Sequence, residues 1–251
     1  MIQLKSPREI EIMARGGRIL AATVDLLRSE VRAGITTGDL DEIAERFIRG
    51  HDGATPAFKG LYGFPGSVCA SINHEIVHGI PSRKRVLHEG DIVSLDVGVR
   101  YQGFFTDSAT TVAVGDVSEE SARLMEVTQD ALAAGIDAAR TGNYTGDIGS
   151  AVQSVVERAG FSIVKDLVGH GIGVEFHEQP QVPNYGKPKR GTPLRAGLTI
   201  AIEPMVNAGS PGTLEMPDKW TIVTADGSRS AHFEHTVAIT EQGPRVLTKA
   251  D

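Results

Sequence analysis

The chain has 251 residues, 40% of them hydrophobic and 23% charged, with a net charge of −7. That composition suits an ordinary globular fold with one core, and with no basic run it excludes stable nucleic-acid binding. Cys69 is the only cysteine, so no intrachain disulfide can form, and no stretch approaches the ~18 apolar residues of a membrane span. A cytoplasmic monomer without membrane contact is the expectation.

Ser6-Pro7-Arg8-Glu9 has capping-box spacing with proline at the first helical position. It predicts a helix through Ile10, Met13, Ile19, Leu20, Val24 and Leu27 to about Val31. Leu40, Ile43, Ala44, Phe47 and Ile48 form one face of a second helix ending at Gly50. Residues 51–90 are rich in Gly, Pro and Ser and read as loops with short strands. Residues 91–99 and 104–114 read as two strands joined by a short turn containing Gly103. Ser118 opens a third helix, with Leu124, Val127, Ala131 and Leu132 inward, that stops at Gly142. A fourth runs from Thr145 to Gly160, and strands follow around 199–203 and 233–239.

Helix, helix, strands occurs twice, and the sequence repeats with it. Gly34-Ile-Thr-Thr-Gly-Asp-Leu40 matches Gly142-Asn-Tyr-Thr-Gly-Asp-Ile148 at an offset of 108. Leu87-x-x-Gly90-x-x-Val93-x-Leu95-Asp96 matches Leu194-x-x-Gly197-x-x-Ile200-x-Ile202-Glu203 at an offset of 107. His78-Gly-Ile echoes His170-Gly-Ile, and Thr111-Val-Ala-Val echoes Thr236-Val-Ala-Ile. Four matches in the same order predict one domain, residues 1–251, made of two pseudo-symmetric halves at about 7–115 and 118–245.

Acidic residues seldom lie inside apolar strands unless paired or bound to a cation. Asp96, Asp107, Glu203 and Glu234 all do, and the repeat equates Asp96 with Glu203 and sets Asp107 and Glu234 before the two Thr-Val-Ala segments. A turn at Tyr101-Gln102 would place Asp96 directly opposite Asp107; moving the turn by one residue makes them diagonal on the same face. Without a cation such a pair repels. His170, within Gly169-His-Gly-Ile-Gly173, completes the set as an imidazole ligand. Four carboxylates and one imidazole exceed the needs of one tetrahedral zinc and suit two ions, with Co²⁺, Mn²⁺, Fe²⁺ and Zn²⁺ all acceptable. His78 and His177, beside the ligand segments, are candidates for substrate contact or oxyanion stabilisation. A Cys69 thiol nucleophile is the weaker reading, since its partner would have to be one of those two histidines.

Ser67-Val-Cys-Ala-Ser-Ile-Asn73, His78-Gly-Ile-Pro81, Gly169-His-Gly-Ile-Gly173, Phe176-His-Glu178, Ile202-Glu-Pro-Met205 and Phe233-Glu-His-Thr236 together resemble the type I methionine aminopeptidases in their compact bacterial form. The resemblance covers essentially the whole chain. It implies the α/β pita-bread fold, two pseudo-symmetric helix-helix-sheet halves with two divalent metals between them. It further implies that Asp96, Asp107, His170, Glu203 and Glu234 bind the metals, with Asp107 and Glu234 bridging. A metal-bridging water would attack the scissile carbonyl with Glu203 as general base, His177 would stabilise the tetrahedral intermediate, and His78 would contact the scissile amide. Phe58, Leu61, Phe64, Cys69, Phe176 and Trp220 match the pocket for the methionine side chain, although Leu61 and Phe64 replace tyrosines common in relatives. Substrates would be peptides and nascent chains with a free N-terminal methionine and a small second residue, met close to the ribosome. The N-terminal zinc-binding extension of longer type I relatives is missing, and Glu203 follows His177 by 26 positions, too few for the type II insertion. The alternative in the same fold is an Xaa-Pro aminopeptidase or prolidase, which shares the five ligands and usually adds an N-terminal domain. A non-catalytic relative would have lost the ligands.

Overall fold

Capping boxes open the first two helices of the computed structural model, which describes residues 2–249. In α1 (Pro7–Glu30) Ser6 accepts from Glu9 N while the Glu9 carboxylate accepts from Ser6 N at 2.7 Å. Thr36 and Asp39 repeat the arrangement in α2 (Thr37–Arg49). These reciprocal bonds satisfy N–H groups that a helix start otherwise leaves unpaired. Two further helices follow, α3 (Glu119–Ala138) and α4 (Thr145–Arg158). The third ends at Ala138 rather than reaching Gly142, because Ala139 leaves the helical region and the Asn143 amide donates to the Ala138 carbonyl at 2.9 Å.

Each helix pair covers one sheet. Leu20, Leu27, Leu40 and Ile48 of α1 and α2 pack on Val68, Leu95 and Val97 of a four-stranded sheet. Ile148, Val152 and Val156 of α4, with Leu124 of α3, pack on Ile200 and Ile202 of a five-stranded sheet. Alternate burial of such stripes is the main source of stability for amphipathic helices and strands. The chain ends also meet: a Cβ on Gly17 of α1 would lie 2.0 Å from the Leu247 carbonyl oxygen, so only glycine permits that approach.

The central hairpin joins Ile92–Tyr101 to Phe104–Ala113 through Gln102 (φ 47°) and Gly103 (φ 90°). Two positive φ values define a type I′ turn, which favours glycine second and matches strand twist. The expected turn at Tyr101-Gln102 would have forced a tyrosine into the left-handed region. The pairing therefore shifts: Asp96 lies opposite Ala109 and Asp107 opposite Gly98. That corrects the directly opposed register, and the diagonal same-face arrangement is the one observed.

The sequence repeat has matching contacts. Gly34 N donates to Leu87 O at 2.9 Å and Gly142 N to Leu194 O at 3.1 Å. Gly90 N donates to Val114 O and Gly197 N to Ile239 O, both at 2.9 Å. Gly38 and Gly146 admit backbone so closely that a Cβ would meet Arg83 N at 2.6 Å and Lys187 O at 2.4 Å. Where the two helix–sheet units meet, Thr236 Oγ1 donates to Asp107 O and accepts from Asp107 N, both at 2.8 Å. Thr111 Oγ1 does the same with His232 O and N, both at 2.9 Å. By these contacts the counterpart of Asp107 is His232, two positions before Glu234, and Glu234 corresponds in position to Ala109, in keeping with the unequal gaps from Asp107 and Glu234 to the two Thr-Val-Ala segments.

Candidate metal centre and substrate cavity

Five side chains from four segments converge at the seam between the sheets. Asp96 and Asp107 project from the hairpin, and His170 from the strand Gly169–Gly171. Glu203 follows the strand Thr199–Ile202, and Glu234 stands between Ser230–His232 and His235–Thr240. Asp107 is 4% exposed and Glu234 is 1% exposed. His170 Nδ1 donates to the Gly171 carbonyl at 2.8 Å, which leaves Nε2 as a lone pair facing Glu203 Oε1 at 3.7 Å.

Packing acids together in a dry place raises their proton affinity. Burial pushes the Asp96 carboxyl up to about 7 despite a hydrogen bond from Asp107 that favours its ionised form. Burial drives Asp107 and Glu234 well above the carboxylate range, helped by the other acids, and burial with the Asp96 charge does so for Glu203. Burial holds His170 down at about 4, assisted by His177. Among the described residues Asp96 Oδ1 and Glu234 Oε1 are buried without a hydrogen-bond partner. Divalent cations answer both problems, supplying partners for orphaned oxygens and opposite charge for the cluster. Among the described residues two donor groups have atoms within 4.8 Å of one another: Asp107, His170 and Glu234, and Glu203, His232 and Glu234. The donor set fits metal, and Glu234 belongs to both groups.

A cavity of about 520 Å³ opens onto these residues, and every candidate pocket residue lines it: Phe58, Leu61, Phe64, Cys69, Phe176 and Trp220. Phe58 meets Phe176 edge-on at 5.4 Å between centroids, and Phe64 meets Trp220 at 5.1 Å, the favoured geometry for aromatic pairs. Gly98, opposite Asp107, makes room for them: a Cβ there would stand 3.0 Å from both Phe58 and Phe176. Burial raises the Cys69 thiol, and Asp96 and Asp107 reinforce the effect, so it stays protonated and is no nucleophile.

His78 and His177 also face the cavity. His78 has φ 59° and lies edge-on to Trp220 at 6.4 Å. His177 stacks on Tyr62, whose hydroxyl is 3.2 Å from Nδ1, and its ring centroid is 4.4 Å from that of His170. Burial lowers the proton affinity of both. Glu178, next in the chain, accepts from Val174 N at 2.7 Å and pairs with Lys5, tying the His177 loop to the chain's start.

Sequence reading missed His232, Tyr62 and the Lys5–Glu178 pair. A signal existed for His232, since alternation from Glu234 puts it on the same side two residues earlier. Nothing local marks Lys5, whose partner is 173 positions away.

Metallopeptidase family M24 matches residues 11–241. A methionine aminopeptidase of Clostridium perfringens is 52% identical over 248 residues, covering 99% of each chain. The chain belongs to metallopeptidase family M24. Within M24 it is a member of the methionine aminopeptidase branch: the crystal structure of the Thermotoga maritima methionine aminopeptidase superposes with a TM-score of 0.97 at 44% identity, covering 99% of this chain and 100% of that one. This M24 peptidase therefore has the pita-bread fold. The prolidase of Pyrococcus horikoshii is more distant, with a TM-score of 0.79, 25% identity and 64% of its own chain covered. Use of divalent metal follows from the family. No helix among the described residues is long and apolar enough to cross a membrane.

Proposed function

We propose that this M24 peptidase removes the N-terminal methionine from peptides and nascent proteins, preferring a small second residue, with two divalent cations held by Asp96, Asp107, His170, Glu203 and Glu234. The observation that carries this reading is Glu234, whose carboxylate belongs to both donor groups and would be shared between two ions; Asp107, from the other sheet, would be the second shared ligand that the resemblance implies. When bound, the cations supply Lewis acidity, polarising the scissile carbonyl and lowering the pKa of water from ~15.7 towards ~7.

The protein's own groups do the rest. Glu203 takes the proton of the attacking water, a contribution typically worth ~10²–10⁴ in rate. A Tyr62 hydroxyl donating to Nδ1 would keep the His177 proton on Nε2, from which it would be donated as a hydrogen bond to the developing oxyanion. His78 contacts the scissile amide and assists the departing amine. The free amine of the substrate lies at the carboxylate cluster, which restricts cleavage to the first peptide bond. Phe58, Leu61, Phe64, Cys69, Phe176 and Trp220 take the thioether, which suits aromatic contacts, and burial of the side chain contributes ~1.5–3 kcal/mol. The enzyme acts as a cytoplasmic monomer, its two halves forming one catalytic domain, with transient proximity to ribosomes.

The test is a paired assay. Chelator-stripped protein is reloaded with Mn²⁺, Fe²⁺, Co²⁺ or Zn²⁺ and offered Met-Ala-Ser and Ala-Pro-Ala. The expected result is metal-dependent cleavage of Met-Ala-Ser alone. Faster release of alanine from Ala-Pro-Ala, or full activity of the stripped protein, would overturn the proposal.

A further inference from the structure

One cavity wall carries an imidazole outside the five-residue donor set. His232 is 1% exposed and lines the cavity. Its backbone is clamped on both sides, paired with Met205 across the strands and held through N and O by Thr111. Its ring is not: among the described residues neither Nδ1 nor Nε2 has a hydrogen-bond partner. A buried polar group without a partner calls for an explanation, an absent ion among them.

The surroundings say which. Nε2 stands 3.7 Å from Glu203 Oε2 and 3.9 Å from Glu234 Oε2. Both separations are too long for hydrogen bonds. Two donors each about 2.1 Å from one metal ion lie between roughly 3 Å apart at right angles and roughly 4.2 Å apart in line, and both separations fall in that interval. His170 Nε2 faces the other oxygen of Glu203 at 3.7 Å, so each carboxylate oxygen of Glu203 looks onto an imidazole nitrogen. The fold adds an independent observation. His232 is held by Thr111 through the same reciprocal bonds that hold Asp107 through Thr236. The position that presents a donor from the first sheet presents one from the second.

We propose that His232 Nε2 is a sixth protein ligand of the metal centre, binding an ion together with Glu203 and Glu234. The proposal rests on the two-cation reading above. It gives the centre one imidazole on each side of Glu203, and a second nitrogen donor shifts preference away from Mg²⁺ and Ca²⁺ towards zinc, iron and cobalt.

The test uses the full chain, ¹⁵N-labelled at histidine, stripped and reloaded with two equivalents of Co²⁺. Two strongly shifted imidazole N–H resonances are expected, one each from His170 and His232. His232→Gln should lose one of them and weaken Co²⁺ binding in titration calorimetry by ~10-fold or more, with a circular-dichroism spectrum like that of the parent. A single shifted resonance in the unaltered protein, assigned to His170, would overturn the proposal without any variant. So would unchanged affinity in His232→Gln. Absence of Co²⁺ binding altogether would overturn the two-cation reading as well, which separates the two failures.

Discussion

Glu203 Oε1 lies 3.7 Å from His170 Nε2, too far for a hydrogen bond and close enough for both to share one ion, while Oε2 stands 3.7 Å from His232 Nε2. A carboxylate so placed can serve as ligand and proton acceptor together. Glu203→Gln keeps the shape and removes the basicity. We predict that kcat on Met-Ala-Ser falls by ~10²–10⁴ while the thermal melt of the loaded protein stays close to that of the parent. Turnover within a few-fold of normal would remove Glu203 from proton transfer.

Asp96 is expected to contribute to metal loading and to oppose folding when metal is absent. In Asp96→Ala, metal stoichiometry measured by elemental analysis should fall, and the stripped variant should melt higher than the stripped parent, because one of several crowded carboxyls is gone. Unchanged loading would place the ligand elsewhere.

The pH dependence of the stripped protein has a definite sign. The Asp96 carboxyl, held at about 7 by burial, ionises below that value once the chain unfolds. A group whose folded pKa is raised contributes stability that is complete below the unfolded pKa and is lost as pH rises through the folded one. The buried His170 and His232, held at about 4 and about 3, act oppositely, losing stability as pH falls from their unfolded value near 6.5. As pH rises from about 6.5 through 7 the carboxyls therefore dominate. Stripped protein should melt progressively lower across that range, and loading with Co²⁺ or Mn²⁺ should abolish the slope. A flat or rising profile for the stripped protein would contradict the burial of the acids.

Gly98 leaves room behind Phe58 and Phe176, two rings of the proposed methionine pocket. Gly98→Ala places a methyl 2.8 Å from Ala57 Cβ and 3.0 Å from the rings of Phe58 and Phe176. Overpacking of this kind costs about 1–3 kcal/mol. We predict a raised KM for Met-Ala-Ser, by roughly 10-fold, with metal loading intact. An unaltered KM would show that these rings do not shape the pocket.

Lys5 and Glu178 form an ion pair with side chains only 2% and 9% exposed. Removing one member of a buried pair leaves the other uncompensated, at about 3–5 kcal/mol. Lys5→Met should lower the denaturation midpoint accordingly. It should also lower kcat, since Glu178 anchors the loop that presents His177. Full activity at a reduced melting temperature would limit the pair to a structural role.

Most of the scaffold was readable because its signals are local. The Ser6 and Thr36 caps, the helix stripes and the glycine-marked repeat depend on residues a few positions apart. The convergence of Asp96, Asp107, His170, Glu203 and Glu234 was readable because acids in apolar strands are costly unless something binds them. Hairpin register was misplaced because it depends on which residues tolerate positive φ, and Gln102-Gly103 is the better pair. His232 and Tyr62 were missed for another reason. A lone histidine and a loop tyrosine gain meaning only from neighbours brought in by the fold, Glu203 and Glu234 for one and His177 for the other.

The approach of Gly17 to Leu247 constrains the order of events during synthesis. Helix α1 leaves the ribosome among the first segments made, yet the strand end that covers its glycine lies 230 positions later. At ~5–20 residues per second, this helix waits ~10–50 s for its last neighbour. The Lys5 anchor of the catalytic loop waits almost as long, for Glu178. The loop bearing His177 thus stays unsecured while the chain is emerging, because the lysine that anchors it is made 173 positions before the carboxylate it pairs with.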